Sequence, residues 1–455
     1  MQGAAAVLCL CSASAAFADR PAPDLKAGKA AYEQSCARCH GLAGHGDGVD
    51  ARRFYPRPRD FNLGVYKFRS TVSGTPPTDE DLFRTITQGL PGSNMPDWQH
   101  LDETVRWQIV AYLKTLSPLF EKTPSSPVHV TGDPGLERAD RAKGKALYEK
   151  LGCAACHGAS GRANGMSAAG LVDDWGMPIR PANLVQGWSY RGGSDPRSIM
   201  LRVLTGIDGA GMPSYAEAMS PEEAWQLAYY VTSLQETPRW HQIAHVARME
   251  GALPTTAEDP RWALAERTDV RLHNTVEPDG TWRWPPTVKA VSFQAVTNGD
   301  AIAFRFEWHD PTQETKHAHD GFAVALKPAG AQGDTVTLQA WPYEGAPQLD
   351  LCYWAADTGQ TIETLAREFN SVIARADPQP IALPSAARYD DGRWQLVLER
   401  PLHPRNMEGA AVLSTETLPS IAFAVWDGGN PEARAISSWV DLDLRQSATQ
   451  QGGSK

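Results

Sequence analysis

At 455 residues the chain is too long for one ordinary domain, and 42% hydrophobic with 21% charged residues is the composition of a folded globular protein. The formal charge of −10 and a pI near 5.7 argue against nucleic acid as a partner, which would call for a basic face. No run after residue 18 approaches 18 apolar residues, so no membrane span is expected in the mature chain.

Residues 1–18 are apolar and small and end in Ala16-Phe17-Ala18, the hydrophobic stretch and cleavage site of a secretory signal. A basic n-region is missing from Met1-Gln2-Gly3, and the competing reading is an anchor or a lipid-modified Cys9 or Cys11. The mature protein is expected to be exported, to the periplasm. Of seven cysteines, two leave with the signal, four sit in Cys-x-x-Cys pairs, and Cys352 stands alone in LDLCYW, where a buried apolar role is expected.

The chain then repeats itself. CARCHGLAGHGDG (Cys36–Gly48) and CAACHGASGRANG (Cys153–Gly165) lie 117 residues apart, and so do Met95 and Met212. Gly41, Gly44, Gly48, Gly89, Gly92 and Pro96 recur at the same offset. Helical patterns precede each motif (KAGKAAYEQS, RAKGKALYEKLG) and follow each methionine (Val105–Leu116, Pro221–Leu234). This predicts a duplicated domain of about 100 residues: 19–120 and 136–236, with a linker at 121–135. A second junction is expected over 237–260. From 261 to 446 the pattern changes to strand alternation: AVSFQAV and AIAFRFEW flank the turn Asn298-Gly299, and GFAVALKP, TVTLQAWP, LDLCYWAA, GRWQLVLERPL, SIAFAVWDGG and SSWVDLDL follow. About eight strands predict a β-sandwich or jelly roll. Residues 447–455 read as a disordered tail. The expected fold class is multidomain, two mostly α-helical domains followed by an all-β sandwich.

Cys-x-x-Cys-His is the attachment sequence of c-type haem. Two cysteines three apart at a helix start lie on one face and can each form a thioether to a haem vinyl. The next residue then turns its imidazole under the macrocycle. The expected iron ligands are His40 and His157 on one side and Met95 and Met212 on the other, with Cys36, Cys39, Cys153 and Cys156 as attachment points. Glycines before each methionine allow close approach of the backbone to the haem. A zinc site would want four ligands per copy, and a redox dithiol a βαβ context; both are missing from the pattern. Arg57 and Arg69, with Arg180 and Arg191 in like phrases (RPRDF and RPANL, YKFRS and WSYRG), are candidates for haem propionates or for solvated surface.

Residues 24–236 resemble two class I cytochrome c domains in tandem. The resemblance implies helical folds around six-coordinate haem, a module that moves electrons. Residues 261–446 resemble the haem-b-binding gamma subunit of type II dimethyl sulfoxide reductase family enzymes such as ethylbenzene dehydrogenase, on FRFEWHDPTQ, DGFAVALKP, GRWQLVLERPL and IAFAVWDGGNPEARAISSWVDLDL. That family implies a β-sandwich with one haem b, held by methionine and lysine, serving a molybdenum enzyme. This sequence departs from it: LQAWPYEGAPQLDLCYW has no methionine, and Arg434 stands where the lysine should be. Either other residues hold haem b, with His317 or His319 in KHAHDGF, Met407, Lys289, Lys316, Lys327, His273, His309 and His403 as the remaining donors, or the site is lost and the domain docks a partner. The balance of the residues favours loss.

The function expected is that of a periplasmic dihaem c-type cytochrome. It would relay single electrons between a redox enzyme of the molybdenum oxidoreductase kind and a small carrier, without being an enzyme itself. Its rivals are a peroxidase-like protein with one open haem, and a redox-reporting module whose sandwich docks a partner.

Overall fold

The computed structural model describes residues 20–130, 132–275, 286–327, 341, 347–367, 380–404, 409–430 and 434–445. The expected leader and tail, Met407 and most of TVTLQAWP lie outside the described residues.

The first helical unit contains α1 (Leu25–Ser35), α2 (Ala37–His40), α3 (Asp79–Gln88), α4 (Glu103–Thr115) and α5 (Leu119–Lys122). The second contains α6 (Arg141–Lys150), α7 (Cys153–His157), α8 (Pro196–Thr205) and α9 (Pro221–Ser233). Caps repeat with the domain. Asp24 and Asp140 accept from backbone N–H groups in the first turns of α1 and α6, and Ser220 forms a capping box with Glu223. In each unit the first helix crosses the last through a glycine. A Cβ at Gly28 or Gly144 would collide with the carbonyl of Gln108 or Gln226, so only glycine permits this approach. Behind the crossing, Tyr32 Oη donates to the Gly41 carbonyl at 2.7 Å, and Tyr148 Oη to Gly158 at 2.6 Å. Both bonds are buried, and they tie the first helix to the backbone just past the motif histidine. The second copy has one more residue between tyrosine and first cysteine, absorbed at Gly152 with φ +75°.

The C-terminal part is an antiparallel β-sandwich with 14 strands among the described residues: β1 (Ile243–His245), β2 (Ala247–Arg248), β3 (Thr268–Asn274), β4 (Ala290–Thr297), β5 (Ala301–His309), β6 (Gly321–Leu326), β7 (Leu349–Ala355), β8 (Gln360–Ala366), β9 (Ile381–Leu383), β10 (Ser385–Asp390), β11 (Arg393–Pro401), β12 (Ser420–Trp426), β13 (Arg434–Ser437) and β14 (Val440–Asp443). Along the main path the order is β10-β11-β5-β4-β3-β13-β12-β6-β7-β8-β9. Strand β3 turns the corner, pairing with β4 through Thr268–Arg271 and with β13 through Leu272–Asn274. Between the two layers lie Phe293, Phe304, Phe306, Trp308, Phe322, Trp354, Trp394 and Phe423, all under 5% exposed. Ring contacts such as Phe306–Phe322 at 4.7 Å and Trp354–Trp394 at 4.8 Å fill this interior. Cys352 is buried there, as expected.

One boundary differs from the sequence reading. Residues 237–260, expected as a junction, hold β1 parallel to β14 and β2 parallel to β4, so the sandwich starts earlier. The expected linker 121–135 pairs with the first unit around Ser126–Val128: Val72 N–H donates to the Ser126 carbonyl and Val128 N–H to Ser70, both at 2.8 Å. Strands β3, β8, β9 and β10 were not singled out in the sequence, although β3 alternates from Val270 to His273. Strand β10, SAARYD, is mostly exposed and polar at the sheet edge.

Candidate functional site

The two motifs build the same local structure. Each runs as a short helix, α2 or α7, that ends at the histidine and is followed by a glycine with φ near +80° (Gly41, Gly158). His40 Nδ1 lies 3.0 Å from the Arg59 carbonyl, and His157 Nδ1 lies 2.9 Å from the Ala182 carbonyl. Nδ1–H donation to a carbonyl fixes the tautomer and leaves Nε2 free as a ligand. Burial lowers both histidine pKa values, keeping the rings in the neutral form that binds metal. The acceptors sit in RPRDF and RPANL. That phrase, read for its arginines, supplies instead the carbonyl that orients the histidine. In the first copy Phe61 also stacks on His40 at 4.6 Å.

The methionines stand on matched straps. Gly89 and Gly206 end α3 and α8 at φ +64°, and Leu90 and Ile207 N–H donate to the Met95 and Met212 carbonyls at 3.0 Å. A Cβ on Gly89 would come within 2.6 Å of Pro96 backbone, and one on Gly206 within 2.7 Å of Ser214. Glycine is therefore required by both the backbone angle and the space.

In the second copy Cys153, His157 and Met212 line one cavity of about 970 Å³. Tyr148, Tyr190, Ile199, Leu227 and Val231 contribute to its walls. Its size and mostly apolar lining suit a cofactor larger than a metal ion. The Cys153 thiol, the His157 imidazole and the Met212 thioether on one cavity belong to the donor set of a covalently held Met/His haem, and the residues fit that group.

The thiol chemistry disfavours the competing readings. Burial, with Cys39 adding, pushes Cys36 up to about 12, and burial pushes Cys153 up to about 11. A redox dithiol works the other way, through a lowered pKa. No disulfide joins either pair. Among the described residues the metal-ligating side chains that cluster are Asp310, Glu314 and Asp427, far in chemistry from a cysteine zinc site.

The four candidate arginines part company. Arg57 donates to the Ala51 carbonyl at 3.2 Å. Arg69 is fully buried and pairs with Asp208 of the second unit at 2.8 Å. Arg180 reaches the sandwich, at 3.8 Å from Asp427. Arg191 lines the cavity.

The units are joined by direct contacts. From cysteine to carbonyl acceptor the second copy is six residues longer than the first (29 against 23). Its loop carries Trp175 onto Arg59 (4.4 Å) and Asp173 to Lys67 (3.8 Å). Arg202 donates to the carbonyls of Lys67 and Arg69. On the other side Arg162 pairs with Asp391 at 2.5 Å, and Glu236 lies 3.5 Å from Arg267 and 4.0 Å from His309. In the sandwich, His319 Nε2 lies 3.2 Å from Tyr353 Oη, and His317 is exposed with φ +57°. Arg434 lies over Trp426 at 5.7 Å.

The chain is similar to several known proteins. Residues 23–113 and 139–231 each match the family of cytochrome c oxidase, cbb3-type, subunit III. The chain is 29% identical over 208 residues to chlorate reductase subunit gamma of Ideonella dechloratans, covering 44% of this chain and 82% of that protein. It is 27% identical over 217 residues to the cbb3-type cytochrome c oxidase subunit CcoP of Azospirillum sp. (strain B510), covering 46% of this chain and 61% of that one. A solved structure of a Kuenenia stuttgartiensis reducing HAO-like protein complex matches at 44% identity with a TM-score of 0.45, over 46% of this chain and 96% of that one. The helical part is thus a cytochrome c region, followed by the all-β domain. No helix among the described residues is long and apolar enough to cross a membrane.

Proposed function

We propose that the protein is an exported dihaem electron-transfer subunit, relaying single electrons between a molybdenum oxidoreductase and a small carrier. The observation that carries this reading is the cavity in which Cys153, His157 and Met212 meet, with the same motif, carbonyl acceptor and methionine strap repeated in the first unit. Bound haem c would supply a one-electron ferric/ferrous couple. Cys36, Cys39, Cys153 and Cys156 would hold it covalently. His40 and His157 offer a free Nε2 because a carbonyl occupies Nδ1. Met95 and Met212 would supply a thioether to the same iron, which favours the ferrous form. Relatedness to subunits of a reductase and an oxidase supports a place in a larger complex.

For the sandwich we infer a docking and covering role rather than a third haem. The aromatic rings that fill the space between its layers support this, together with Arg434 at the expected lysine position. The test is a pyridine haemochrome spectrum of the mature protein made with a cytochrome c maturation system, before and after acid-acetone extraction. Two non-extractable c haems and nothing extracted are expected. An extracted b haem would overturn the docking role of the sandwich, and fewer than two c haems would overturn the electron-transfer reading.

A further inference from the structure

The second cavity is lined from three sides: by Tyr55, Lys67 and Phe68 of the first unit, by its own unit, and by Lys289, His309 and Thr312 of the sandwich. Six cations face it, and four are already engaged. Lys67 has Asp173, Arg162 has Asp391, Arg180 has Asp427, and Arg202 donates to first-unit carbonyls. Two are not. Among the described residues Arg191 has one weak bond, to the Gly92 carbonyl at 3.4 Å, and Lys289 has one, to Ser189 Oγ at 3.4 Å. Among the described residues neither has a carboxylate partner.

Two like charges left in one desolvated cavity repel and lose hydration, so an apposed anion is the arrangement that stabilises them. Burial, then the charge of Arg191, lowers Lys289 to about 8. Arg191 is held down by burial as well. The fork of a guanidinium and the point charge of an ammonium both suit carboxylates.

We infer that Lys289 of the β-sandwich, with Arg191, binds the carboxylates of the tetrapyrrole in the second cavity, so that the third domain completes and tunes the second haem site. This rests on the haem reading above and adds to it a residue outside both cytochrome units. Lys289 lies just before β4, so the sheet positions it. In the first copy the cation equivalent to Arg191 is Arg69, which is spent on Asp208 instead. The two copies therefore use this matched arginine differently although their motifs match.

The test is a spectroscopic redox titration of the full-length holoprotein, after a haemochrome count of two c haems. The second haem is the component whose midpoint moves in Met212→Ala. Removing a positive charge, or leaving a carboxylate uncompensated, favours ferric iron. Lys289→Met should therefore lower the second midpoint by the equivalent of at least a threefold change in the ferric/ferrous ratio, a tenfold change being 59 mV for one electron. The first midpoint should stay, and Lys289→Arg should restore the second. Arg191→Met should move the same component in the same direction, which keeps the inference testable if Lys289→Met folds poorly. If neither variant moves the second midpoint, or if both haems move together, the inference is overturned while the haem count still stands.

Discussion

Arg69 of the first helical unit and Asp208 of the second form an ion pair at 2.8 Å in which the arginine has no exposed surface. Asp208 also accepts from Ser73 Oγ at 2.7 Å and Gly74 N–H at 3.0 Å, and Arg69 donates onward to the Thr205 carbonyl. The two helical units are thus locked by a desolvated network at the strap that carries Met212.

Breaking a buried pair from one side costs about 3–5 kcal/mol, because the remaining charge is stranded. Asp208 keeps some contact with water, so Arg69→Ala should fall at the low end of that range. Chemical denaturation should show the loss, and the double change Arg69→Met with Asp208→Asn should lose less than Arg69→Ala. Equal losses would mean that packing, and not the stranded charge, sets the cost.

The glycine crossings give a second expectation. Gly28→Ala and Gly144→Ala each place a Cβ against a helix carbonyl, and overpacking of this kind costs about 1–3 kcal/mol. Each should lower the thermal midpoint with haem content unchanged. A variant as stable as the parent would show that α1–α4 or α6–α9 separates without strain.

Met95→Ala and Met212→Ala should each open one iron to external ligands. The parent should resist cyanide, and each variant should take up one equivalent, seen in the Soret band. Ready cyanide binding by the parent would favour the peroxidase-like alternative.

The acidic cluster predicts a pH dependence. Burial, then the charge of Asp320, raises Glu314 from its ordinary 4.5 to about 7, and burial also raises Asp310, with Asp427 and Asp320 adding. The folded chain holds these protons at pH values where the unfolded chain has released them. Its stability should therefore fall as pH rises from about 4.5 to 7, and this group should add no further slope above that. Glu314→Gln should flatten the fall in a thermal-melt series over that window. Parallel curves for parent and variant would remove Glu314 as the cause.

The cofactor chemistry and the duplication are carried by local signals: Cys36, Cys39 and His40 recur as Cys153, Cys156 and His157, with methionines at one offset. Such signals survive in sequence because a thioether pair, a proximal histidine and a glycine-hinged strap each need fixed residue types at fixed spacing. The sandwich was legible through β4, β5, β6, β7, β11 and β12, whose buried faces alternate or run apolar. Polar edge strands such as β10 were not, since exposure removes the pattern. Only the tertiary structure decided that Arg59 and Ala182 lend carbonyls to the histidines, because any residue has a carbonyl. Only it separated Arg69, drawn into an ion pair by Asp208 from 139 residues away, from Arg191, left facing a cavity. And only it brought Lys289 of the sandwich to the second site, since packing between domains leaves no spacing for a sequence to show.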